Sequence, residues 1–151
     1  MRNPVLAGLA ALALGCLAPA CASFRPPDIP NPIAAAKTPE HKAIALIETY
    51  AVILEEATDL VANPNTPNAV RQALAAAERA ATPSIDLLRI AFGAHLRAQA
   101  DWQAAQTKDR TTIERASAVL AIAAVRLAEA VDQARAPVAA LQRLIQKENP
   151  A

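Results

Sequence analysis

The chain has 151 residues, with 15 basic and 14 acidic side chains and a formal net charge of +1. That balance gives no electrostatic pull toward nucleic acid, and the length supports one domain but not comfortably two. Apolar residues make up 54% but aromatic residues only 3%, so any core is built largely from small side chains and is thin.

Met1-Arg2-Asn3-Pro4 leads into an apolar run from Val5 to Leu17, followed by Ala18-Pro19-Ala20-Cys21-Ala22-Ser23. A cationic start, a short apolar stretch and small residues at a cleavage point are the layout of an export signal, so residues 1–22 are expected to be removed and take no part in the fold. Pro4 and Pro19 bracket a run shorter than the roughly 20 apolar residues that a spanning helix needs. Both cysteines, Cys16 and Cys21, fall in this region.

A cysteine just after small residues at the end of an apolar run resembles the lipobox of bacterial lipoproteins, in which the cysteine is lipidated and becomes the mature N-terminus. In Leu12-Ala13-Leu14-Gly15-Cys16, Gly15 supplies the small residue and Ala13 stands where that family has Leu. In Leu17-Ala18-Pro19-Ala20-Cys21, Ala20 supplies it, preceded by Pro19. The resemblance implies lipidation at Cys21 or Cys16. Cleavage before Cys21 leaves no unpaired thiol in an oxidising compartment, which favours that site. Neither Ala22 nor Leu17, the residue after each anchor, is the aspartate that holds such proteins in the inner membrane, so the resemblance implies an outer-membrane location facing the periplasm. The alternative is ordinary cleavage after Ala20-Cys21-Ala22, giving a periplasmic or secreted protein.

Beyond Ala22 the remaining 14 basic residues balance the 14 acidic ones. Residues 23–37 include Pro26, Pro27, Pro30 and Pro32, which rule out a regular helix and predict an extended tether. At about 3.1 Å per residue, such a tether holds the following domain some tens of ångströms from an anchor.

The domain, residues 38–149, reads as all-α. Thr38-Pro39, Thr66-Pro67 and Thr82-Pro83 each offer an N-cap followed by a proline suited to the first helical turn. Three helix starts are expected there. Asn63-Pro64-Asn65 ends the first helix. Within that helix Ile44, Ile47, Ala51, Leu54, Thr58 and Val61 form one seam, and Leu46, Tyr50, Ile53, Ala57 and Leu60 an adjacent one, while Glu48, Glu55, Glu56 and Asp59 mark a solvated face.

The middle segment divides at Thr82-Pro83 into a short helix, Asn68 to Ala81, and a longer one carrying Ile85, Leu88, Phe92, His95, Gln99 and Trp102. Gly93 inside it costs close to 1 kcal/mol relative to alanine, which close approach of another backbone would offset. The last helix, capped by Asp109 or Thr111, repeats Ile113, Ser117, Leu120, Ala124, Leu127, Val131, Ala134, Val138, Leu141 and Ile145, as bundle or coiled-coil packing requires. Pro137 predicts a kink that curls the tail over the bundle end. The expected architecture is an up-down bundle of three long helices plus one short one.

No motif in this domain carries chemistry. His41 and His95 lack the Glu-x-x-His spacing of a helical di-iron site, and no cysteine pair, His-x3-His, glycine-rich phosphate loop or serine elbow is present. No catalytic residue, metal or cofactor is therefore expected. His95 has Glu55, Asp59 or Asp101 as carboxylate partners and, standing alone, reads as structural. The expected role is a non-catalytic envelope lipoprotein: a helical interaction or scaffold module tethered to a membrane by lipid, which contacts an envelope protein or itself. One alternative is a soluble periplasmic bundle that binds a small ligand near Phe92, His95 and Trp102. Another, with the same plan, is a phage-encoded lysis or exclusion lipoprotein.

Overall fold

The computed structural model describes residues 36–148; the expected signal, Cys16, Cys21 and nearly all of the expected tether lie outside the described residues. Three helices follow one another, α1 (Pro39–Ala62), α2 (Asn68–Ala105) and α3 (Arg110–Glu148), and the described residues include no strand. The chain folds as an all-α bundle.

Each boundary has a local cause. The Thr38 hydroxyl accepts from the His41 amide at 3.3 Å, and Pro39 occupies the first turn. Asn63 ends α1: its amide donates to the Asp59 carbonyl, and its side-chain oxygen accepts from the Asn65 amide at 3.0 Å. Arg71 then ties the loop down by donating from Nη2 to the Asn63 carbonyl at 2.8 Å. At the start of α2 no side chain caps the helix, and the Pro67 carbonyl accepts its first backbone bonds. Asp109 caps α3 through both carboxylate oxygens, accepting from the Thr112 amide at 3.0 Å and the Thr112 hydroxyl at 2.7 Å.

Two side-chain contacts show that α1 and α2 are antiparallel and fix their register. The Tyr50 hydroxyl lies 2.8 Å from that of Thr82, and Glu40 reaches His95. At 1.5 Å per residue α1 is about 36 Å long, whereas α2 and α3 approach 58 Å. From His95 to the loop at 106–109, α2 and α3 therefore continue as a pair that α1 does not cover.

The core follows from the second of the two α1 seams. Leu46, Tyr50, Ile53 and Ala57 are buried, whereas Ile44 and Val61 of the other seam are exposed. They meet Leu74, Ala81, Ile85 and Leu88 of α2 and Leu127, Val131, Ala134, Val138, Leu141 and Ile145 of α3. Among the described residues, nine of the twenty buried apolar side chains are alanine. Each alanine buries a single methyl, worth about 0.8 kcal/mol, against about 1.5–3 kcal/mol for a buried Leu, Ile or Val. Beyond His95 the buried residues of α2 are only Ala98 and Ala105, and before Leu127 α3 buries only Ala123.

Four expectations are corrected. Thr66 does not cap α2, whose N-cap position is Pro67. Asn68 to Ala81 is not a separate short helix, because α2 runs unbroken through Pro83. The Thr82 hydroxyl donates back to the Glu78 carbonyl at 2.9 Å, so it serves the helix that contains it and does not cap a new one. The tail after Pro137 does not curl over the bundle end: Val138, Leu141 and Ile145 remain in the common core. Nor does Gly93 admit another backbone, since a Cβ built there would meet only the tip of the Arg97 side chain, at 4.0 Å.

With that space open, Gly93 costs helix propensity with no packing return. Gly93→Ala is expected to raise the unfolding free energy by about 0.5–1 kcal/mol. Urea denaturation measures it, and a loss of stability would show that the glycine serves a contact or a hinge.

Candidate functional site

His95 does not pair with Glu55, Asp59 or Asp101. Only 4% of it is exposed, and its Nε2 lies 2.8 Å from Oε1 of Glu40, in the first turn of α1. Its Nδ1 is buried without a hydrogen-bond partner. The Glu40 carboxyl is held below its ordinary range, first by its own backbone amide and then, against the opposing effect of burial, by the Thr38 hydroxyl and His95. One end of α1 is thus fixed to α2 by a polar contact.

The structure does not gather Phe92, His95 and Trp102 into one site. Phe92 packs half-buried against the core, His95 is engaged by Glu40, and Trp102 sits half-buried in the part of α2 that α1 does not cover. Among the described residues no three His, Cys, Asp or Glu side chains group to hold a metal ion.

The feature best formed to receive something lies elsewhere. A groove of about 570 Å³ runs between α2 and α3, lined by Leu87, Ile90, Ala91, Ala94 and Ala98 from one helix and by Val119, Ile122, Ala123, Arg126, Glu129, Ala130 and Gln133 from the other. No residue of α1 contributes to its lining. Ile90 is 66% exposed, and Leu87, Val119 and Ile122 are each 55% exposed. Four large aliphatic side chains on one face of a small bundle form the kind of contiguous apolar patch that marks an interaction surface.

The alanines explain why the groove exists. Ala91, Ala94, Ala98, Ala123 and Ala130 line it with methyl groups only, and the larger Leu87, Ile90, Val119 and Ile122 line it alongside them. Its polar lining is Arg126, Glu129 and Gln133, one charge of each sign. The trough continues toward the loop end past Asp101, Ala105, Lys108, Arg115 and Val119. The sequence carries a signal for it: Leu87, Ile90, Ala94 and Ala98, like Val119, Ile122, Arg126 and Ala130, repeat at three and four on a face adjoining the core seam.

Among the described residues no helix is long and apolar enough to cross a membrane. Compared with protein-family models, curated proteins and solved structures, the chain matches none.

The Glu40 contact has a pH signature. A carboxyl whose folded pKa lies below its unfolded value near 4.5 adds stability above that value and loses it as pH falls through the folded one. Glu40→Gln is therefore expected to lower stability at neutral pH, with the gap from wild type closing as pH falls below the unfolded value and through the lower folded one. A gap of constant size across pH-dependent denaturation curves would contradict the assignment.

Proposed function

We infer that the chain is a non-catalytic lipoprotein of the bacterial cell envelope, tethered by lipid at Cys21 or, failing that, Cys16, whose helical bundle is an interaction or scaffold module. The observation that carries the interaction role is the open apolar face of the α2–α3 pair, with Leu87, Ile90, Val119 and Ile122 each more than half exposed. Exposing such side chains to water forgoes part of the gain that burial gives, and a partner surface restores it.

The envelope location rests on the sequence. The signal layout and the cysteine after Ala20 point to export and lipidation, and the prolines of residues 23–37 provide a spacer between the anchor and α1. A lipid chain and a spacer confine an interaction module to a layer near the membrane, where its effective concentration toward other tethered molecules is high. Outer-membrane placement facing the periplasm follows from Ala22 as the residue after the anchor.

The non-catalytic reading is supported by the chemistry of the groove. Its lining holds one base, one acid and one amide among aliphatic side chains, with no nucleophile beside a base. The buried His95 faces Glu40 and does not line the groove.

Metabolic labelling with palmitate tests the tether. Label is expected in the wild-type chain and in Cys16→Ser, and is expected to be lost in Cys21→Ser. Loss in Cys16→Ser alone moves the anchor to that residue. An unlabelled wild-type chain defeats the lipoprotein reading.

A further inference from the structure

The core seams of α2 and α3 continue past the point where α1 begins. Trp102 stands seven residues after His95, two turns along the same face, and Ile113 stands fourteen residues before the buried Leu127 on the α3 seam. Each is three residues from the loop end of its helix, so the α2–α3 hairpin sets them at one level. Both are half-buried, at seam positions that a longer α1 would cover. From His95 to Ala105 the seam thus runs for about 15 Å without a third layer.

We propose that residues 26–35, which lie outside the described residues, cover this seam as an extended strap, with Ile29 and Ile33 on the apolar surface and proline rings against Trp102. Position, length and composition select this occupant. Glu40, in the first turn of α1, sits against His95, and α1 runs antiparallel to α2, so the chain before Thr38 meets the fold at the edge of the uncovered seam. Ten residues at about 3.1 Å each span about 31 Å, twice what the seam requires, which lets the segment cross obliquely from one helix to the other. Pro26, Pro27, Pro30 and Pro32 leave four of the ten without a backbone donor, so laying the segment on an apolar surface strands few amides.

The chemistry of the seam suits such a segment. Proline-rich chain is extended before it binds, so little conformational freedom is lost when it docks on an aromatic surface. Its carbonyls still need donors, and the seam offers two kinds: the Trp102 indole N–H and the amide of Gln99, an exposed seam position one turn nearer His95. Covalent attachment beside the site supplies a high effective concentration, so a contact of modest strength is enough. The strap leaves the α2–α3 groove and its continuation free, since neither Trp102 nor Ile113 lines them. With Cys21 as the proposed anchor, the free spacer shortens to residues 22–25.

Trp102 is the only tryptophan of the chain, so its fluorescence reads the cover directly. The sample is the full chain in whichever processed form the cell yields. Ile29→Asp combined with Ile33→Asp is expected to shift the emission to the red and to raise quenching by acrylamide about two-fold, while circular dichroism shows unchanged helicity. Val52→Asp, at an exposed position of α1 away from the seam, is expected to leave both readings at the wild-type values. An unchanged Trp102 signal in the double variant overturns the proposal. A change shared by Val52→Asp also overturns it, because the bundle as a whole has then loosened. So does a wild-type emission that turns red on dilution, because the cover is then a second copy. None of these readings depends on palmitate labelling or on the groove, so the strap and the envelope reading fail separately.

Discussion

The unequal length of the helices, combined with the register in which α1 meets α2, determines most of what this bundle presents to its surroundings. Tyr50 against Thr82 and Glu40 against His95 place the 24-residue α1 beside only part of a 38-residue partner. Where all three helices run together, Leu, Ile and Val side chains from each close a core. Where α1 is missing, α2 and α3 hold each other through Ala98, Ala105 and Ala123, and nothing large is buried. A helix pair of that kind buries too little to be rigid on its own, since tertiary packing of an apolar face contributes most helical stability.

The small residues work in two directions. Inside the bundle, alanine lets helix axes approach closely, with little side-chain entropy lost on burial. The same economy displaces larger aliphatic residues to the surface, where Leu87, Ile90, Val119 and Ile122 flank a trough floored by alanines. A chain with more Leu in the α2–α3 seam would have a thicker core and a wider separation of the two helices, and no trough. The composition that makes the core thin is therefore also what leaves a surface able to bind.

Features set by a few neighbouring residues were legible in the sequence. Thr38-Pro39, the turn at Asn63, the cap at Asp109 and the deeper seams of α1 and α3 all appear where their local chemistry places them. Features that depend on what packs alongside were not. Thr82-Pro83 has the same letters as Thr38-Pro39, but Ala81 and Ile85 on either side are fully buried, and holding both in the core keeps the helix continuous. Gly93 suggested a close neighbour, yet the space beside it is open. Phe92, His95 and Trp102 drew attention because they are chemically distinctive, whereas the groove is made of Leu, Ile, Val and Ala, which are distinctive only by spacing. On α2 and on α3 that second apolar face adjoins the core seam and differs from it only in phase along the helix.

His95 illustrates why a polar residue persists in such a core. A buried imidazole with an unpartnered Nδ1 is less favourable than a hydrocarbon of similar size, so its presence does not follow from stability. Where α1 meets the other helices, Leu46, Ile53, Leu74, Ile85 and Leu88 already make a one-turn slip costly in packing. The Nε2–carboxylate contact adds to that cost, because after a one-turn slip Glu40 loses its partner and both nitrogens of the buried ring are left unsatisfied. Tyr50 with Thr82 repeats the constraint near the middle of the interface. Two polar contacts thus reinforce the alignment that the apolar residues favour, and that alignment leaves the loop end of the α2–α3 pair uncovered by α1.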